Sequence, residues 1–398
     1  MIAMEIRKVF CLAILALSCS RVEVPSDDSG HSSDEYERVV MVMPSCELDE
    51  GPQTRNEVLL SGGIKYVWSA TDTVGIFPAA GSQLYFSMAS GVGEVSAAFD
   101  GGGWALKRDT EYYSYFPFVP DFYIDKTAVP LTFVGQTQTG NADPTHAYLG
   151  NYCYMAARGE YDQESDALYF NYQRLGVLFR FIIPVKAGTY RSLTVRADDY
   201  IIVQNGTFNA IMADQKIYDP VYSDSLTLEF SELSFESDAT LVAFMILPPF
   251  DMASKQLTLE LLSEDGVKHI SSVAGKSYVL GKTYNNAPSF TSSLSTDKID
   301  GKGGSIELKV VASGTNGYQI STDCDWLSVG AYSGSGSAAL TVTASANKGS
   351  RRTGSIIVSE NSGSLILNNI MTVTQDVDGM DVGISDWEIS EDHGGVAY

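Results

Sequence analysis

The residues of this chain that could do chemistry are few, and their spacing removes most options. Its four histidines, His31, His146, His269 and His393, fall in unrelated segments, and the chain has neither an HExxH pair nor a nucleophile elbow. The familiar zinc-hydrolase and serine-hydrolase arrangements are therefore missing. Gly275-Lys276-Ser277 has the end of a phosphate-binding loop, but the glycine required five positions earlier is Ile270, so the cradle fails. Asp376, Asp378 and Asp381 do not have the spacing of an EF-hand calcium loop, and a solvated acidic tail is expected there. Cys46, Cys153 and Cys324 are scattered, with no CxxC and no Cys/His cluster, which fits buried apolar thiols and not a disulfide framework. No cofactor and no metal site are expected. Carboxylates are abundant, so a paired-acid glycan-degrading enzyme stays as a third class of function. One thiol stands apart by position: Cys19, directly after the apolar run Val9 to Leu17 and the small Ser18, with Arg7 and Lys8 ahead of that run.

A positive start, an apolar stretch and a small residue before a cut site are the parts of a secretory signal, here residues 1–18. The run is too short for a bilayer span, which needs roughly 20 apolar residues. With Cys19 as the first retained residue the pattern resembles a bacterial lipobox, although the position three before it is Ala16. The resemblance implies lipidation of Cys19 and a lipid anchor in the outer membrane. Ordinary cleavage, leaving Cys19 a free thiol, is the alternative. Residues 19–51, rich in Asp, Glu, Ser and Gly, read as an acidic tether, since such a stretch has little to bury and repels itself. The net charge of −23, from 49 acidic against 26 basic residues, argues against nucleic acid, which needs clustered Lys and Arg. It argues equally against anionic lipid headgroups.

The elements that carry the rest are strands. Leu226-Thr-Leu-Glu-Phe230, Leu257-Thr-Leu-Glu-Leu261 and Ile306-Glu-Leu-Lys-Val310 alternate with period two, the mark of half-buried strands. Val177 to Ile183 and Leu241 to Leu247 are apolar on both faces and suit central strands. Nothing sustains a helical stripe. The chain is therefore expected to be all-β, with sandwiches in series. One sandwich should span 52–166 and a second 167–292, divided at the polar run Asp162 to Asp166. A third unit should span 293–376, after a polar boundary at Ser289 to Asp297, with an acidic tail at 377–398.

The first two sandwiches resemble the fimbrillin family of Bacteroidetes, precursors of pilus subunits. The residues that carry the likeness are Thr54-Arg55, Trp68 to Phe77, Tyr112 to Phe118, Tyr154 to Ala157, Phe170 to Phe181 and Gly275 to Leu280. Residues 295–375 resemble the BACON module, an immunoglobulin-like sandwich. The carriers there are Asp325-Trp326-Leu-Ser-Val329, the Gly334/Gly336 turn, Leu340 to Ala344, Asn347, Arg352 to Val358 and Val373-Thr374-Gln375.

The resemblance implies a cell-surface protein of the outer membrane, acting in adhesion as a pilus subunit or an accessory or tip adhesin. It implies a protease cut after Arg55 that removes the first strand, so that other pilus subunits fill the groove by strand exchange. The BACON likeness implies either a spacer or contact with host or dietary glycans or mucin, and the second is also the alternative function: a surface lipoprotein that binds glycan without polymerising. No residue can be assigned to glycan. The rings of Tyr112 to Tyr123 and Trp326 are read as core and not as sugar platforms, because alternation turns half of a strand inward. Asp72-Thr73-Val74 and Asp224-Ser225-Leu226 resemble the Bacteroides O-glycosylation sequon.

Overall fold

The computed structural model describes residues 34–44, 47–48, 66–121, 123–141, 147–212, 214–362 and 365–378. Among the described residues the elements are strands apart from one 3-10 turn at Ala147–Tyr152. The first eleven strands are β1 (Arg38–Val42), β2 (Glu47–Leu48), β3 (Thr73–Pro78), β4 (Leu84–Ser90), β5 (Ser96–Asp100), β6 (Tyr112–Phe116), β7 (Val129–Thr132), β8 (Gln136–Thr139), β9 (Met155–Asp162), β10 (Ala167–Asn171) and β11 (Gln173–Arg174). Next come β12 (Val177–Val185), β13 (Gly188–Arg196), β14 (Ile202–Phe208), β15 (Ile217–Ser223), β16 (Ser225–Ser231), β17 (Ser234–Phe235), β18 (Ala239–Leu247), β19 (Phe250–Asp251), β20 (Gln256–Ser263), β21 (Lys268–Ala274), β22 (Ser277–Tyr278) and β23 (Lys282–Asn286). The last nine are β24 (Phe290–Leu294), β25 (Lys298–Ile299), β26 (Gly304–Ala312), β27 (Gly317–Thr322), β28 (Leu327–Val329), β29 (Ser333–Ser335), β30 (Ala338–Ala344), β31 (Arg352–Ser362) and β32 (Leu365–Gln375). The all-β expectation holds.

The first sheet runs β10-β1-β5-β4-β3-β6-β9, and β9 pairs back onto β10, so the sheet closes on itself. Closure leaves no free edge. Every neighbouring pair in this ring is antiparallel except β1 with β10. Gly75 on β3 is dictated by packing, because a Cβ there would run into the Tyr115 ring. A second sheet, β18-β12-β23-β2, faces a long one that runs β28-β30-β26-β24-β21-β20-β13-β16-β8. The terminal unit sets the β28 end of that long sheet against β25-β32-β31-β27-β29.

These pairings correct the expected boundaries in four places. Residues 34–44 and 47–48, expected to be tether, are built into the fold. Val39, Val40, Met41 and Met43 are buried, and β2 pairs with β23. The division at 166 also fails, since β10 and β11 both pair with β9. Strands β7 and β8, expected in the first unit, pair with β14 and β16 of the second. One core accordingly runs from Tyr36 to Tyr284. Lastly, the polar boundary at 289–297 contains β24, which is buried along its whole length and joins β21 to β26. A second core spans Ile270 to Val373. Polar side chains are tolerated on β24 because they are paired: Ser271 Oγ lies 2.7 Å from Thr291 Oγ1, and Asn369 Nδ2 donates to Ser292 Oγ at 3.2 Å. A buried polar group that finds its partner costs little.

Candidate functional site

The seat of β1 is the feature that most sets this fold apart. All five of its residues pair in parallel with β10, from Arg38 opposite Ala167 to Val42 opposite Asn171. Four pair antiparallel with β5, from Val39 opposite Phe99 to Val42 opposite Ser96. Beyond the strand, Tyr36 N donates to Leu106 O at 2.9 Å, Met43 N donates to Val95 O at 2.9 Å, and Tyr172 N donates to Val42 O at 3.1 Å. Alternation sends Val39, Met41 and Met43 into the core together with Tyr36. Met41 is wholly enclosed.

Trp68 fastens the middle of the strand. Its Nε1 donates to Met41 O at 3.1 Å, and its ring meets Phe99, Phe116 and Tyr172 edge-on at 4.9, 5.6 and 5.8 Å. The Tyr172 hydroxyl lies 2.5 Å from Ser114 Oγ and reaches Met41 Sδ at 3.5 Å. Burial pushes this phenol far above the ordinary tyrosine range, so it stays a neutral hydroxyl.

Arg108 clasps the upstream end. Its backbone N donates to Asp34 O at 2.9 Å, its Nε donates to Glu35 O at 3.2 Å, and its guanidinium pairs with Asp166 at 2.6 Å. The same group lies over the rings of Tyr36 and Tyr161 at 5.6 and 5.2 Å. The Arg108 bond holds the Asp166 carboxyl below the usual carboxylate range. Arg108→Ala should loosen this end and speed displacement of the strand by a competing peptide. Unchanged displacement kinetics in a fluorescence competition assay would contradict that role.

Each buried Val or Met contributes roughly 1.5–3 kcal/mol. The apolar residues of β1 therefore hold it by an amount comparable with the stability of a whole domain, about 5–15 kcal/mol. A strand held this firmly is expected to stay seated when its chain connection is cut. Downstream, β1 and β2 rejoin the fold through residues 49–65, which include Arg55.

Cys19 and Arg55 lie outside the described residues, as do Cys46, His31, His146, His393 and Asp381. Gly275 and Lys276 link β21 to β22, which Ser277 begins; Gly275 N donates to Lys255 O at 2.8 Å and the Lys276 ammonium lies 5.7 Å from the Tyr284 ring centre. Asp376 faces Arg351 at 3.5 Å on the surface. Among the described residues no group of three His, Cys, Asp or Glu side chains could hold a metal. No helix among them is long and apolar enough to cross a membrane. Tyr112, Tyr115 and Phe116 are buried, while Tyr123 is 88% exposed. The Tyr115 hydroxyl donates to Gln83 Oε1 at 2.6 Å, and burial pushes its pKa up to about 12. Trp326 is buried, with the Arg352 guanidinium 4.5 Å from its ring centre, and belongs to the core of the terminal module.

Two clefts of about 430 and 500 Å³ flank the junction of β21 with β24 and share Asp265, Val267, Leu294 and Ser295. Two of their acids are engaged locally. Glu260 pairs with Lys268 at 2.9 Å, and Asp265 accepts from Ser263 Oγ and from Val267 N. His269 lines one cleft with its ring edge-on to Tyr190 at 5.4 Å. Burial, aided by Lys309 and opposed by Asp265, pushes its pKa down to about 4 from 6.5. Below about pH 6.5 the unfolded chain therefore takes up a proton that the folded chain refuses until about pH 4. Stability should fall through that window and level off beneath it. In His269→Gln this part of the loss should vanish. Urea midpoints of the two proteins followed from pH 7 to 4 test it, and parallel curves would contradict it.

What the fold and this site define is an all-β protein whose first sheet is closed by β1, the first strand among the described residues. Residues 316–376 match the model of the BACON family, described as "Putative binding domain, N-terminal", and lie in the terminal module. No curated protein matches the chain. Among solved structures, a "putative cell adhesion protein" from Bacteroides uniformis is similar, with 13% identity, a TM-score of 0.40, and coverage of 56% of this chain and 88% of that one. One from Bacteroides ovatus, described in the same words, has 13% identity and a TM-score of 0.39, covering 63% of this chain and 92% of that one. The fimbrial anchor protein Mfa2 from Porphyromonas gingivalis has 11% identity and a TM-score of 0.27, covering 57% of this chain and 78% of that one.

Proposed function

We propose that this chain is a cell-surface protein, anchored to the outer membrane through a lipid on Cys19, that acts in adhesion as a pilus-associated subunit. Its partner is an extended strand of another subunit, received in the seat of β1 after a cut at Arg55. One observation carries the reading. β1, the first of the described strands, is a stave of the closed sheet, held by ladders on both sides, and its downstream link passes through the stretch that holds Arg55. Removing β1 opens the ring and creates two unpaired edges, on β5 and β10, a ready template for an added strand.

The BACON module favours an accessory or terminal position over a stalk position. Its last strand, β32, is paired with β31 along its full length and is not free to be donated. Limited trypsin treatment tests the reading. A clip near Arg55 should convert monomers to higher oligomers. Clipped protein that stays monomeric and is retained on immobilised mucin would favour glycan capture instead.

A further inference from the structure

The sheet β18-β12-β23-β2 has two edges, and the β18 edge is closed by side chains. The backbone groups of β18 that face away from β12 meet three amides in succession. Gln136 Nε2 donates to Ile246 O at 2.7 Å, and its Oε1 accepts from Ile246 N at 2.8 Å. Gln138 Nε2 donates to Val242 O at 2.9 Å, and its Oε1 accepts from Phe244 N at 3.0 Å. Asn141 Nδ2 donates to Thr240 O at 3.1 Å, and its Oδ1 accepts from Val242 N at 2.7 Å. A side-chain amide offers a donor and an acceptor side by side, as a neighbouring peptide group does. The main chain of β8 is meanwhile paired with β16. One strand thus serves two sheets, the first with its backbone and the second with its side chains. Both glutamines are fully buried.

An unguarded edge is a template for pairing with another chain, and β18 is almost entirely apolar. We propose that Gln136, Gln138 and Asn141 form a surrogate strand that seals β18 against an extended segment of a second copy of this chain. The seal leaves the β1–β2 track as the place where a strand joins the first closed sheet and the β18-β12-β23-β2 sheet. That last clause rests on the exchange reading above, whereas the seal itself does not.

The test uses the full, uncut chain carrying Gln136→Leu, Gln138→Leu and Asn141→Ala. Hydrogen exchange at the Val242, Phe244 and Ile246 amides should accelerate by about 100-fold as local opening becomes easier. Light scattering should show a concentration-dependent dimer without any cut at residues 49–65. A folded triple variant that stays monomeric overturns the proposal. Should the triple variant not fold, Asn141→Ala alone removes only the exposed last rung. Exchange at Val242 should then rise by roughly 10-fold, and unchanged exchange overturns the proposal. Failure of the exchange reading shows separately, as wild-type protein that is cut near Arg55 and forms no oligomers.

Discussion

Met41→Asp is expected to abolish folding of the first closed sheet, or to lower its stability by about 3–5 kcal/mol, the cost of leaving an uncompensated charge in a protein interior. The position admits no escape. Met41 has no exposed surface, its carbonyl is held by Trp68 Nε1, and its sulfur faces the Tyr172 hydroxyl. That hydroxyl is already engaged with Ser114. A carboxyl group would be driven to its neutral form, and would still bury a polar group where a thioether packed. Met41→Leu, close in volume, should cost under about 1.5 kcal/mol. Urea denaturation of both variants, followed by near-ultraviolet circular dichroism of the aromatic cluster, checks the pair. A wild-type midpoint for the Met41→Asp variant would mean that the β1 seat is not part of the folded core.

Trp68→Ala should cost about 3–5 kcal/mol, the range for removing a large aromatic side chain from a packed core. Three terms add in the same direction. The indole is 1% exposed and its removal leaves a large void. Edge-on contacts to Phe99, Phe116 and Tyr172 are lost, each worth about 0.5–1.5 kcal/mol beyond area burial. The donor to Met41 O disappears as well. Trp68→Phe keeps a ring and loses the donor, so it should fall well short of the alanine effect. Because Trp68 grips the backbone of β1, Trp68→Phe should also release the strand faster to a competing peptide. Equal midpoints for the alanine variant and the wild type would contradict this packing.

Much of the fold was legible in the residues. The period-two runs at Leu226 to Phe230, Leu257 to Leu261 and Ile306 to Val310 became β16, β20 and β26. The terminal module was legible for a physical reason, since the residues that mark it also pin it. Asn347 Nδ2 donates to Ser350 O and Asp376 O at 2.9 and 3.0 Å. Gln375 Nε2 donates to Asp300 O and Ser345 O at 2.9 Å, while its Oε1 accepts from Arg352 Nε at 2.9 Å. Such side chains have little freedom to vary in type, so they leave a readable pattern.

The site was less legible. Arg38 to Met43 holds the strand β1 and its buried next residue among acidic neighbours, and composition over a wide window hides six residues. Its partners, β5 and β10, lie far along the chain, and parallel pairing leaves no local turn to announce it. β24 was hidden because Thr291, Ser292 and Ser293 look like linker residues until their partners are seen. β18 read as a central strand and lies at an edge, where the amides of Gln136, Gln138 and Asn141 stand in for the missing neighbour. A run of alternating Gln opposite an apolar strand was the available signal. It has meaning only once the two segments, about a hundred residues apart, are brought together.

Replaceability of β1 is best read by mass. The chain is cut at Arg55, purified under native conditions and mixed with an excess of isotopically labelled peptide of residues 34–48. Native mass spectrometry should then show one labelled peptide gained for each unlabelled N-terminal fragment lost, with the remainder of the chain still folded. A cut chain that keeps its own fragment and takes up no label under the same conditions would contradict the idea that this sheet is closed by an exchangeable strand.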